Sequence, residues 1–174
     1  MHGERSAIGT AFNNATGVTT FPELELFTST NELFGWAMGS SLHDFKLPQN
    51  LITLGSDSLR MNSLNMQELA CPSSLEVLYN VRQSGYVGCI TIISALTSIG
   101  ASYCYGRSIS GTNASTFKIL YSGGVIPLST SATVAQYNRY HYYYVPDNLL
   151  NQYREATGWS DFPTHILPLS EYPD

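Results

Sequence analysis

The sequence predicts a mainly β domain, an antiparallel sandwich of the jelly-roll kind with two short helices and extended termini. Three observations predict it. Short runs rich in β-branched and aromatic residues recur between clusters of Gly, Ser, Asn and Pro, as strands recur between turns. Only two segments carry both a helix start and a helix stop. The two ends of the chain lack periodicity or are broken by proline. A chain of 174 residues has the size of one domain with a core of its own. The divisions read as an arm over 1–20, a sandwich over 21–158 and a tail over 159–174.

The arm is rich in Gly, Asn, Thr and Ala and has little structure of its own to offer. From Phe21 the pattern TFPELELF alternates Leu24 and Leu26 against Glu23 and Glu25, the period-two signature of a half-buried strand that Pro22 confines to an edge or a start. The two glutamates then share a face about 7 Å apart, which suits the acid and base of a glycosidase and equally a solvated strand face. Residues 31–48 contribute Phe34, Trp36, Phe45 and Leu47 to a core or an interface. Gln49 to Leu54 reads as a strand. CPSSLEVLYNVRQSG reads as a helix, with Ser73 and Glu76 as a capping box and Leu75, Leu78, Val81 and Arg82 at helical spacing up to Gly85.

The longest apolar run, Val87 to Ile99, falls short of the ~20 residues that cross a bilayer. Its β-branched content reads as a buried strand, a bend, and a second strand running to Tyr105. The loop GRSISGTNAST, the strand TFKILY and a Gly-Gly turn follow. In ATVAQYNRYHYYYVP, alternation puts Tyr140, Tyr142 and Tyr144 on one face and Tyr137, Arg139, His141, Tyr143 and Val145 on the other. Aromatics on both faces imply a strand covered on both faces, or one whose second face meets another subunit. Pro146 ends this strand, Asp147 caps the helix DNLLNQYREATG, and Gly158 stops it. The tail WSDFPTHILPLSEYPD holds three prolines and large apolar side chains, so it should lie extended across a neighbouring surface.

Charged residues make up 12% of the chain, about half the usual share of about 25%. A neutral polar surface of this kind suits proteins that bury their exterior against neighbours. A net charge of −5 with two lysines, Lys46 and Lys118, and scattered arginines leaves no cluster to neutralise a run of phosphates, so nucleic acid is not a direct partner. The start MHGERSAIGTAFNNATG lacks the apolar core of a secretory signal, and no membrane anchor is expected. The glycosylation patterns at Asn14 and Asn113 then read as chance matches. Cys71, Cys89 and Cys104 fit no Cys-x-x-Cys pattern and read as free thiols in a reducing compartment, with a Cys89–Cys104 bridge as the alternative. His2, His43, His141 and His165 are too dispersed for a metal site, and no phosphate-cradling loop occurs, so no cofactor is implied.

Two constellations carry chemistry. Cys104 or Cys89 as nucleophile, His141 as base and Asp147 or Asp161 as orienting carboxylate would make a cysteine-dependent hydrolase. Tyr140, Tyr142 and Tyr144 with Asp147 and Asn148 would make a subunit contact or a ligand surface, including a lectin-like one in which rings stack on sugars and the amide and carboxylate meet hydroxyls.

The succession SGYVGCITIISALTSIGASYCYG followed by RYHYYYVPDN resembles paired strands of the jelly-roll capsid proteins of small picornavirus-like RNA viruses, whose strands end in an aromatic-Val-Pro corner. The resemblance implies a structural subunit of a symmetric assembly, found in the virion and made in the host cytoplasm. It would act through contacts with copies of itself or other shell proteins and not through catalysis. The acidic N-terminus departs from the basic arm that packages RNA, and the chain is shorter than such subunits usually are. A carbohydrate-binding β-sandwich and the cysteine hydrolase are the alternative expectations.

Overall fold

Among the described residues of the computed structural model every strand pairing is parallel. The described residues are 19–33, 44–54, 60–61, 65–78, 82–83, 86–99, 116–124, 126–129 and 142–173. They hold fourteen strands: β1 Thr20–Phe21, β2 Glu32–Leu33, β3 Asp44–Phe45, β4 Thr53–Leu54, β5 Arg60–Met61, β6 Asn65–Ala70, β7 Val77–Leu78, β8 Arg82–Gln83, β9 Tyr86–Ile92, β10 Ser98–Ile99, β11 Thr116–Ile119, β12 Leu128–Ser129, β13 Tyr142–Val145 and β14 Ile166–Pro168. The first five-stranded sheet runs β12-β10-β7-β4-β2 and the second β14-β13-β11-β9-β6, while β1 pairs β3 and β5 pairs β8.

This overturns the antiparallel jelly-roll sandwich. A jelly roll joins antiparallel strands, whereas here each strand's neighbours in a sheet are the preceding and following members of that sheet in chain order. From β4 to β13 the described strands of the two large sheets alternate along the chain, each sheet gaining one strand per circuit of roughly two dozen residues. Parallel sheets of α/β proteins are crossed by helices. Here the described crossovers are turns and short strands, with one α-helix, α1 Leu150–Glu155, among the described residues. The coils stack as in a solenoid, each hydrogen-bonded to the next.

The core lies between the sheets in continuous ladders. Leu69, Ile90, Phe117, Tyr143 and Ile166 are register partners across the second sheet, and all are buried. Leu54, Leu78 and Ile99 form the facing ladder of the first sheet and are also buried. Phe117 stacks on Tyr143 with centroids 4.8 Å apart. A recurring corner leads into the coils: Leu51, Leu75 and Leu149 each donate a backbone N–H to the carbonyl of a proline three residues earlier, Pro48, Pro72 and Pro146, at 3.1, 3.1 and 2.8 Å. Proline suits the corner because its φ is already fixed, and the leucine that follows drops into the core.

Several local expectations change with the architecture. The segment after Ser73 is not a helix: residues 72–75 form the corner and Val77–Leu78 is a strand. Pro22–Leu26 is a 3-10 turn and not a strand; Glu23 is exposed, and Glu25 meets Lys46 at 3.7 Å on the surface. Of the strand, bend and second strand to Tyr105 expected from Val87, Tyr86–Ile92 and Ser98–Ile99 are strands, but they lie in different sheets, and residues 100–105 lie outside the described residues. Helix α1 forms after a 3-10 turn at Asp147–Leu149, though the Asp147 side chain does not cap it. The tail is not extended throughout but folds through 3-10 turns at Pro163–His165 and Leu169–Glu171. Trp159, Phe162 and Ile166 sit in the chain's own core, and the Trp159 indole N–H donates to the Pro127 carbonyl at 2.9 Å. Gly158, at φ 80°, turns the chain between α1 and Trp159.

Arg154 lies against the outer edge of β14. Its Nε and Nη2 donate to the Ile166 carbonyl at 3.2 and 2.7 Å, covering a carbonyl of the edge strand β14.

Candidate functional site

Strand alternation carries the rings of β13 to opposite sides. Tyr143 and Val145 point into the core, while Tyr142 and Tyr144 point outward, Tyr142 being 42% exposed. Register then assembles the outer face of the second sheet. One row runs Glu68, Cys89, Thr116, Tyr142 and the next runs Ala70, Thr91, Lys118, Tyr144, Leu167.

Two groups stand on this face. Tyr142 stacks on His165 with centroids 5.1 Å apart and planes at 20°. Beside it, the end of the chain folds back: Leu169–Glu171 makes a 3-10 turn and sets the Tyr172 ring edge-on to Tyr144 at 5.0 Å, with Lys118 Nζ 4.2 Å from its centroid. The Lys118 contact has cation–π geometry. The Tyr172 hydroxyl shares a hydrogen bond with the Cys89 thiol, and this bond, with burial and the nearby Glu68 carboxylate, pushes the phenol up to about 12. Thr91 Oγ1 donates to Glu68 Oε1 at 2.6 Å and lies 3.8 Å from Cys89 Sγ. Cys89 and Thr91 are both buried although they face outward.

Asp147 holds this returning segment. Its Oδ1 accepts the Ser170 backbone N–H at 3.1 Å, and hydrogen bonds from the Ser170 side chain and backbone keep its carboxyl below the ordinary carboxylate range. Of the residues expected to form a binding surface, Tyr142, Tyr144 and Asp147 therefore lie on or beside one face. Asn148 is exposed next to Asp147, and Tyr140 lies outside the described residues. Sequence reasoning missed Lys118, His165 and Tyr172, because what joins them is register and the fold-back of the last residues.

The hydrolase constellation is not brought together among the described residues. Cys104 and His141 lie outside them, and Asp161 is exposed. His165 precedes β14 by one residue and Cys89 lies three strands away, a separation of about 14 Å at normal strand spacing. Cys71 and Cys89 are free thiols, and burial pushes Cys71 up to about 12. Among the described residues no three metal-ligating side chains converge, and no helix is long and apolar enough to cross a membrane. No protein-family profile, no curated protein and no solved structure matches the chain.

Proposed function

We propose that the chain is a non-catalytic binding module that meets its ligand on the outer face of the second sheet. The observation that carries this reading is the Tyr142–His165 stack, an exposed ring held rigid by its neighbour beside a second aromatic and cationic group. Tyrosine held in this way supplies contact area at little entropic cost and is over-represented among energetically dominant interface residues. Stacked coils suit the role, since each adds another side chain to rows that continue across the sheet. The thiols support it too, Cys71 being sealed in the core and Cys89 roofed by Tyr172. The shell-subunit reading drew on the low charge, the N-terminal arm, the proline-rich tail and a jelly-roll resemblance; the parallel coils remove the jelly roll from that support.

A peptide-display library and a glycan array, both probed with the purified chain, test the proposal and separate its two ligand classes. Binders are expected from one of them, and Tyr142→Ala should weaken them at least about tenfold, roughly 1.4 kcal/mol, with the unfolding midpoint unchanged. Binders indifferent to both Tyr142→Ala and His165→Ala, or no binders at all, would overturn it.

A further inference from the structure

The returning segment Leu169–Pro173 is attached unlike the rest of the chain. Ser170, Glu171 and Pro173 are exposed, and none of the five residues belongs to the buried core. What holds it is a set of discrete contacts. Asp147 takes the Ser170 N–H and hydrogen-bonds its side chain, Lys118 and Tyr144 hold the Tyr172 ring from two sides, and Cys89 meets the phenol oxygen. The receiving side chains belong to β9, β11, β13 and the turn after Pro146, all anchored by core residues of their own, so the surface is built independently of the segment it receives.

We propose that Cys89, Lys118, Tyr144 and Asp147 form a recognition site for a short peptide carrying Ser-x-Tyr-Pro, filled in cis by the chain's own residues 169–173. The ligand class follows from the contacts. Asp147 requires a free backbone N–H and a hydroxyl two residues before the ring. The Lys118 ammonium requires an aromatic face. Cys89 selects a phenol over a plain phenyl. A segment held by so few contacts opens at a free energy well below that of global unfolding. Its tether keeps it at an effective concentration in the millimolar range, so a free peptide competes only once the cis segment has been detached. The proposal goes beyond the Tyr142 surface and uses neither Tyr142 nor His165.

The experiment uses the full-length chain with Tyr172→Ala and the synthetic peptide Leu-Ser-Glu-Tyr-Pro. The readout is the rate of iodoacetamide alkylation at Cys89, located by peptide mapping. Tyr172→Ala should raise that rate about tenfold or more, in proportion to the open population. Added peptide should bring it back toward the wild-type value, and Leu-Ser-Glu-Ala-Pro should not. Adding Asp147→Asn should weaken the peptide's protection. Tyr142→Ala should leave Cys89 as protected as in the wild type, which keeps this test distinct from that of the binding face. If Tyr172→Ala lowers the unfolding midpoint, Ser170→Pro detaches the same segment by removing the N–H that Asp147 accepts. An unchanged alkylation rate in the detached variants, or peptide that gives no protection, would overturn the proposal.

Discussion

Asp147 shows how one side chain's role turns on what reaches it from a distance in sequence. Its position after Pro146 marks it as a helix cap, yet its carboxylate faces Ser170 and Leu169, whose hydrogen bonds favour the charged form. A lowered folded value means that the contact with Ser170 is complete above the ordinary carboxylate range and is lost as pH falls through the folded value. The Ser170 amide resonance, followed by NMR against pH, should therefore hold its position through the range in which an ordinary aspartate titrates and move only below it. Asp147→Asn should abolish that acid-side movement. The alternation of Tyr142 to Val145 was legible beforehand because period two is a local property of an extended strand. The cover over Tyr144 was not, because it arrives from Tyr172.

At the level of elements, the Pro-x-x-Leu-x-x-Leu corner explains the largest local misreading. Leu75 and Leu78 stand three apart, which is helical spacing and equally the spacing of a corner leucine followed by the inward residue of a two-residue strand. Ser73 and Glu76 satisfied a capping box by coincidence. What decides between the readings is recurrence. LPQNLITL from Leu47 and CPSSLEVL from Cys71 are the same eight-residue unit, and IISALTSI from Ile92 repeats its apolar positions without the proline, so a search for internal repeats would have pointed to a solenoid where each copy alone suggests something else. Leu78 belongs to the ladder with Leu54 and Ile99, so Leu78→Ala should leave a cavity between coils and cost about 2–5 kcal/mol in denaturant unfolding. A loss below about 1 kcal/mol, the range of an exposed or readily repacked position, would mean that this ladder does not hold the coils together.

For the whole molecule, strand direction was the quantity local pattern could not supply. Val87–Ile92 and Thr116–Ile119 are runs with β-branched residues compatible with either pairing; the parallel answer comes from the circuit that returns the chain to the same edge each time. The strand beginning near Val87, the bend after it and the strand at Thr116 were legible because each carries its own signal, and the helix after Pro146 was legible from its apolar stripe and not from its cap. Arg154 covers the Ile166 carbonyl on the outer edge of β14, so that acceptor is not open to a second chain. Light scattering across a concentration series should accordingly give a monomer mass, whereas closed particles would return weight to the shell-subunit expectation.

The nearest-neighbour ladder also bears on how such a chain can vary. Among the described residues each coil's strands pair with those of the coils beside it, and the intervals between successive strands of one sheet are already unequal, from Leu54 to Leu78 and on to Ile99 and Ser129. Residues gained or lost in a crossover leave the strand registers on either side intact. A whole coil could be duplicated or deleted by a single recombination at the Pro-x-x-Leu corner, lengthening or shortening the ligand-facing rows while the Trp159 and Arg154 terminus stays where it is. Evolution of this molecule would then proceed by counting coils as readily as by changing side chains.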